Sequence, residues 1–356
     1  MRVVIAGGGT GGHIFPAISI AEEIQRRDPK GEILFIGTER GLERDRIMMS
    51  GYKIEFISSG GIVGKGLINS LVGAIHALKG VFDSIRILLR FKPSIVVGVG
   101  GYVSGPVVLA SFLLWKPAVI CEQNSIPGLT NRILARFVKM VFATFDESVK
   151  YFPKFKTRVL GNPIRNLKVF SNSVGVFPNG INVLVFGGSQ GARRFNENVP
   201  RAFGILGRKD IFVIHQTGDK EGLDVRSAYE RNGVMAEVLQ FIEDMAGVYN
   251  RADLVIGRAG AGTIAEITAL GKAAILIPYP FAAHNHQLEN AKVMEKAGAA
   301  VVIEDREASP DRLAKVLGDL LNGDKLILMR EKSKKLGKPN ASRDIVDEIF
   351  KIAGVE

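Results

Sequence analysis

Short apolar runs punctuate this chain, and almost every one is closed by glycine or a polar turn. Residues 2–6, 32–36, 53–57, 94–98 and 118–121 are such runs in the first half. Between them lie longer stretches whose apolar positions recur three and four residues apart. That period predicts helices at 16–27, after GTERGLE, at 68–91 and from about residue 129. Pro16 suits a first helical turn. Strands alternating with helices predict a parallel, doubly wound sheet.

The pattern then restarts. Runs at 182–186, 212–216, 236–240, 252–256 and 274–277 predict a second set of strands. The chain therefore reads as two Rossmann-like halves, each opening strand, glycine loop, helix. At 356 residues, two domains are expected on length alone. The junction falls at Gly161-Asn162-Pro163-Ile164-Arg165. Residues 171–180, rich in Ser, Asn, Gly and Pro, read as a loop entering the second half. The expected domains are 1–163 and 164–341. An amphipathic helix within 342–356 is free to pack back on the first.

One stretch, 257–291, carries the clearest chemistry. A strand runs into the turn Gly257 to Gly262. A helix follows from about Thr263, with Ile264, Ile267 and Leu270 on one face, and Gly271 stops it. Glycines before a helix let a ligand approach the backbone, and the first helical amides point outward unbonded. Glu266 would repel a phosphate set directly against it, but it can accept hydrogen bonds from a ribose diol. Together these features suggest a nucleotide. The same residues also fit a plain helix start with a Glu that favours the dipole.

Other loops repeat the theme. Gly7, Gly9 and Gly12 satisfy G-x-G-x-x-G, the dinucleotide fingerprint. Hydride transfer needs neither the adjoining His13 nor a second glycine loop, Gly187-Gly188-Ser189-Gln190-Gly191-Ala192. An anion cradle that carries a side chain fits better. At a helix N-terminus the dipole favours a neutral imidazole, so His13 suits a general base; it equally suits a cap or a phosphate ligand. Gly100 to Pro106 reads as another cradle, with Ser104 as donor. Glu122, Gln123 and Asn124 end a strand with groups suited to sugar hydroxyls. Ser189, Arg165 and Gln287 offer further donors, and each alone fits ordinary turn chemistry. Ligands of such sheets bind at the carboxyl ends of strands, where every one of these loops lies.

Composition narrows the classes. Cys121 is the only cysteine, which excludes an intrachain disulfide and points to a reducing compartment. The opening MRVVIAGGGTGG is too short in apolar residues for a signal peptide, and the run 107–115 is about half a membrane span. A cytoplasmic protein is expected. The net charge is +11, and residues 60–140 hold nine Lys and Arg against two acidic residues. Such a surface attracts nucleic acid or anionic lipid. With no helix-turn-helix, zinc-finger or RNP pattern, nucleic acid is disfavoured. Residues 67–91 mix Leu, Ile and Phe with Lys79, Arg86 and Arg90, and Trp115-Lys116 ends a nearby apolar run. That mixture fits a core face, or a face resting on an anionic bilayer. There is no D-x-D, P-loop, C-x-x-C or H-E-x-x-H, so neither a metal nor a cofactor is implied.

GGGTGGHIFPA, GGYVSGP, EQNSIPGLTN, GNPIR, FGGSQGA, FIEDM, RAGAGTIAE and HNHQLENA span nearly the whole chain in that order. The set resembles the MurG family. Those enzymes transfer N-acetylglucosamine from UDP-N-acetylglucosamine to undecaprenyl-diphosphate-linked N-acetylmuramoyl-pentapeptide. The resemblance implies an α/β GT-B fold, two Rossmann-like doubly wound parallel-sheet domains facing a central cleft, and metal-independent inversion. It implies that Thr10, Gly11 and Gly12 face the transferred sugar and acceptor diphosphate, and that Asn124 contacts the donor sugar. Arg165, Ser189 and Ile242 would meet the nucleotide, Ile242 through its backbone at uracil. Ala261, Gly262, Thr263, Ile264, Ala265 and Glu266 would form the phosphate and ribose site, and Gln287 would contact the sugar. His13, Tyr102 and Ser104 match the acceptor side, with His13 first and Glu122 second as general base. Ala259 and Gly262 stand where relatives can carry larger or hydroxylated residues, which leaves backbone contacts there. The implied setting is the cytoplasmic face of a cell membrane, reached peripherally. A nicotinamide-dependent oxidoreductase, a non-catalytic nucleotide-sugar or lipid-binding protein, and a transferase for another acceptor are the alternatives.

Overall fold

A computed structural model describes residues 1–8, 11–39, 43–59, 67–164, 180–188, 192–218 and 222–355. In chain order the strands and helices are β1 (Arg2–Gly7), α1 (Gly11–Arg27), β2 (Glu32–Gly37), α2 (Glu43–Met49), β3 (Lys53–Phe56), α3 (Leu67–Phe91), β4 (Ile95–Gly100), α4 (Gly101–Leu113), β5 (Ala118–Glu122), α5 (Leu129–Leu134), β6 (Met140–Ala143) and β7 (Thr157–Val159). Then come β8 (Ile181–Phe186), α6 (Arg193–Leu206), β9 (Ile211–Gln216), α7 (Gly222–Arg231), β10 (Met235–Leu239), α8 (Met245–Arg251), β11 (Leu254–Gly257), α9 (Ala261–Ala269), β12 (Ala273–Leu276), α10 (His286–Lys296), β13 (Ala300–Val302), α11 (Pro310–Leu321), α12 (Lys325–Leu336) and α13 (Ala341–Ala353). The chain forms two compact units. One is Met1–Arg165 with Asn340–Glu356, and the other is Asn166–Pro339.

The first unit holds a seven-stranded sheet in the order β3-β2-β1-β4-β5-β6-β7, with every pairing parallel. Its central strands are apolar without a break because both faces are covered. Along β1, Val3 and Ile5 face one way and pack with Ile20 and Ile24 of α1. Val4 and Ala6 face the other way and pack with Val103, Val107 and Val108 of α4. The last helix, α13, belongs to the first of these clusters: Ile345, Val346 and Ile349 are fully buried there. Arg27 of α1 pairs with Asp347 of α13 and donates to Arg343 O at 3.1 Å.

The second unit holds a six-stranded parallel sheet in the order β10-β9-β8-β11-β12-β13. Val183 and Val185 pack with Phe195 and Val199 of α6 and with Leu313 and Leu317 of α11.

Three strands, β6, β7 and β13, lie beyond those expected from the apolar runs. Each has only three or four residues and is defined by its neighbour, as in Val141 opposite Thr157. Three helix starts also differ. α1 begins at Gly11, five residues earlier than expected, so Pro16 lies inside the helix and not in its first turn. α4 follows β4 directly, where a cradle loop was expected. α9 begins at Ala261, because Gly260 is extended and accepts from Ile264 N at 3.0 Å. No helix among the described residues is long and apolar enough to cross a membrane.

Candidate active site

Each sheet reverses its strand order once, and ligands of such sheets bind outside the strand ends at that point. In the second unit the reversal lies between β8 and β11. After β8 the chain turns at Gly188, φ +96°. After β11 it enters α9 through Gly260, which caps the helix without a side-chain hydrogen bond. The amides of Ala261, Gly262 and Thr263 therefore lack intrahelical partners, and the first turn contains no acidic residue to repel an anion. Gly262 faces open space: an added Cβ would meet nothing within 4 Å.

The loop leading into α9 is held by Arg258. Its guanidinium donates to Ile277 O at 3.1 Å, to Pro278 O at 3.2 Å and to Asp305 at 2.6 Å. Asp305 also pairs with Arg194 at 2.9 Å. Arg258 is thus a brace for the loop. Sequence reasoning passed over it, though a strand-end Arg beside glycines was the visible sign. The loop after β12 is pinned too. Gln287 Oε1 accepts from Tyr279 N at 3.0 Å, and His286 Nδ1 lies 2.8 Å from Ala283 O. His284 and Asn285, just before α10, both take φ +52°, which is uncommon for residues with a Cβ.

In the first unit the reversal lies between β1 and β4. The loops after these strands touch so closely that only glycine fits. A Cβ on Gly101, φ +77°, would stand 2.2 Å from Gly8 O. A Cβ on Gly100, φ +108°, would stand 2.7 Å from both Nδ1 and Cε1 of His13. The His13 ring therefore lies directly against the β4 turn, at the first turn of α1. Next along the sheet, Gln123 Nε2 donates to Val99 O at 2.8 Å. Among the described residues no group of three or more His, Cys, Asp or Glu could hold a metal.

Residues 3–143 match the glycosyltransferase family 28 N-terminal domain, and residues 182–349 match the family 28 C-terminal domain. A protein of Myxococcus xanthus (strain DK1622) is 45% identical over 98% of this chain and 92% of its own length. It is named UDP-N-acetylglucosamine–N-acetylmuramyl-(pentapeptide) pyrophosphoryl-undecaprenol N-acetylglucosamine transferase. A protein of Syntrophus aciditrophicus (strain SB) with the same name is 45% identical, covering 98% and 97%. The crystal structure of Acinetobacter baumannii MurG matches with a TM-score of 0.82 at 32% identity, covering 98% of this chain and 99% of that one. The chain belongs to the MurG family.

Against the residues that MurG kinship implies, the structure is specific. In the second unit the α9 turn, Glu266, Ile242 and Gln287 all sit on elements at or beside the carboxyl edge of the sheet. Glu266 lies one turn into α9 and is only 5% exposed. Ile264 points into the core, so it offers a ligand backbone only. Ile242 is buried as well, and its amide already donates to Gln216 Oε1 at 3.0 Å, which leaves its carbonyl as the backbone group on offer. Gln287 commits its oxygen to Tyr279, so its Nε2 is the group left for a sugar hydroxyl.

Two MurG-implied residues of the first unit have other jobs. Ser104 is fully buried inside α4. Its Oγ accepts from Gly100 N at 2.8 Å and lies 2.8 Å from Ala6 O, so it ties β1 to the β4 turn and cannot reach an acceptor. Glu122 is 2% exposed. Its carboxylate accepts from Asn124 N and from Asn131 Nδ2, both at 2.9 Å. Burial pushes its pKa up, and the bonds from Asn124, Asn131 and Gly128 oppose that. Turned inward in this way, Glu122 orders the loop that carries Asn124 and is a poor candidate for a base. Tyr102, by contrast, is 60% exposed on the first turn of α4, and Gly11 and Gly12 open α1 beside His13. Thr10, Arg165 and Ser189 lie outside the described residues.

Proposed function

We propose that this chain transfers N-acetylglucosamine from UDP-N-acetylglucosamine to undecaprenyl-diphosphate-linked N-acetylmuramoyl-pentapeptide, converting lipid I to lipid II in peptidoglycan synthesis. The observation that carries this reading is kinship along almost the entire chain with transferases that bear that name. The donor's diphosphate meets the α9 amides, supported by Ser189 and Arg165, while Thr10, Gly11 and Gly12 face the transferred sugar and the acceptor diphosphate. Glu266 takes the ribose hydroxyls, the Ile242 carbonyl takes a uracil N–H, and Gln287 Nε2 and Asn124 take sugar hydroxyls. The C4 hydroxyl of the muramoyl sugar attacks the anomeric carbon while the bond to UDP breaks on the opposite face, so the configuration inverts. His13 accepts the hydroxyl proton. UDP leaves with the bonding electron pair, and the α9 amides stabilise the charge that grows on it. No D-x-D is present to hold a metal against the diphosphate, which supports metal-independent transfer.

The test is transfer of labelled N-acetylglucosamine to the lipid-linked acceptor with chelator present, for the wild type and His13→Ala. Turnover that persists in chelator and collapses in the variant, with UDP affinity kept, is expected. UDP binding without transfer would sink the acceptor assignment.

The same reading sets the protein peripherally on the cytoplasmic leaflet. Leu78, Phe82 and Leu89 of α3 are more than half exposed beside Lys79, Arg86 and Arg90, and Trp115 is 92% exposed. Such a face suits an anionic bilayer. Co-sedimentation with vesicles containing anionic lipid, lost in high salt, is expected. Equal binding to zwitterionic vesicles would count against it.

A further inference from the structure

β9 lies between β10 and β8, and all three strands run parallel. Its last residue is therefore placed to reach the loops that leave both neighbours. That residue is Gln216, 4% exposed. Its Nε2 donates to Gly188 O at 2.9 Å, in the loop after β8. Its Oε1 accepts from Ile242 N at 3.0 Å, in the loop after β10. The strand end is itself fixed. Thr217 N donates to Leu239 O at 2.9 Å, Gly218 N to Gln240 O at 3.1 Å, and Asn196 Nδ2 to Thr217 O at 3.1 Å. The amide therefore hangs from a rigid stem.

The chemistry of the bridge is selective. One neighbour is a backbone acceptor and the other a backbone donor. A primary amide supplies the complement of both at a fixed separation. Leu supplies neither, and an ionised Glu supplies only an acceptor. Gly188 adds a reason for a tether: with φ +96° it sits where glycine's freedom would otherwise let the turn open.

We propose that Gln216 is a positioning residue whose amide locks the loops after β8 and β10 in the mutual register that receives the nucleotide. This rests on the donor-site reading above, in which both loops face UDP. Gln216 acts through those loops and does not touch the reacting atoms, so its loss weakens donor binding more than it slows transfer.

The experiment compares wild type, Gln216→Leu and Gln216→Glu by calorimetric titration with UDP, by donor KM and kcat, and by melting temperature. For Gln216→Leu we expect UDP Kd and donor KM to rise by about tenfold or more, from two lost hydrogen bonds. Its kcat at saturating donor should stay within about threefold of wild type. For Gln216→Glu we expect weak UDP binding at pH 8 that recovers as the pH falls, because a protonated carboxyl again donates to Gly188 O. Wild type should show no such recovery. A purely packing role would not produce that pH profile. If Gln216→Leu fails to fold, the Glu variant decides alone. UDP affinity equal to wild type at pH 8, or a fall in kcat with KM unchanged, overturns the bridge. Wild type that does not bind UDP overturns the donor-site reading and the bridge with it, whereas wild-type binding matched by both variants overturns the bridge alone.

Discussion

At Gly100 two demands meet in one residue. The backbone takes φ +108°, and the His13 ring occupies the space a side chain would need. An added methyl group strains the turn and pushes the imidazole away from the end of β4. Misplacement of a proton acceptor by about 1 Å can cost about a hundredfold in rate. Gly100→Ala should therefore lower transfer at least about tenfold. UDP affinity should change little, since the α9 amides, Glu266 and Ile242 proposed to meet UDP belong to the other unit. Paired rate and calorimetric measurements check this, and an unchanged rate would remove His13 from the chemistry. A second residue speaks to acid stability. His215 is fully buried against the Tyr229 hydroxyl at 2.9 Å, and burial lowers its pKa to about 3. The unfolded chain binds a proton near pH 6.5 and the folded one does not. The stabilisation from a neutral His215 is thus complete above pH 6.5 and is lost as the pH falls toward 3, at up to about 1.4 kcal/mol per pH unit. Denaturant midpoints measured from pH 7 to pH 4 should fall more steeply for wild type than for His215→Asn. Parallel slopes would show that the group protonates in place.

At the scale of elements, the sequence is legible wherever an apolar run is long enough to announce itself. β1, β4 and β8 are buried on both faces and read as apolar runs through 3–6, 95–99 and 183–186. β7 is Thr-Arg-Val, which has no pattern of its own; only its pairing with β6 makes it a strand. The positions of the glycine loops were equally visible, but the jobs of the residues beside them were not. Gly105 and Pro106 argue for a loop. Burial of Val103, Val107 and Val108 outweighs them and turns Ser104 into the interior. Whether a hydroxyl near a loop faces ligand or core is decided by that competition, and a sequence does not display it. The same limit hid the inward turn of Glu122. α13 shows the opposite case, because its amphipathic pattern was plain while its partner was not. Three fully buried side chains, Ile345, Val346 and Ile349, join it to the α1 side of the first sheet. Ile349→Ala should cost about 2–5 kcal/mol, read as a lower melting temperature. A loss below about 1 kcal/mol would mean that α13 is only loosely docked.

At the scale of the whole molecule, each unit has its own buried clusters, and the chain passes between the units near residue 165 and again near residue 340. Two cores built from separate segments have the means to unfold in two steps. The donor groups on β8–β12 and the stabilising helix α13 fall in different units, so a ligand and a mutation can be used to label the two transitions. UDP at about a hundred times its Kd should stabilise the second unit by about 2.7 kcal/mol. Calorimetric scans should then show one transition that rises with UDP and is indifferent to Ile349→Ala. The other should fall with Ile349→Ala and be indifferent to UDP. A single transition moved by both would mean that the units melt together. In that event the first unit would also feel the nucleotide, and substitutions around His13 would have to be judged for their effect on donor binding as well as on proton transfer.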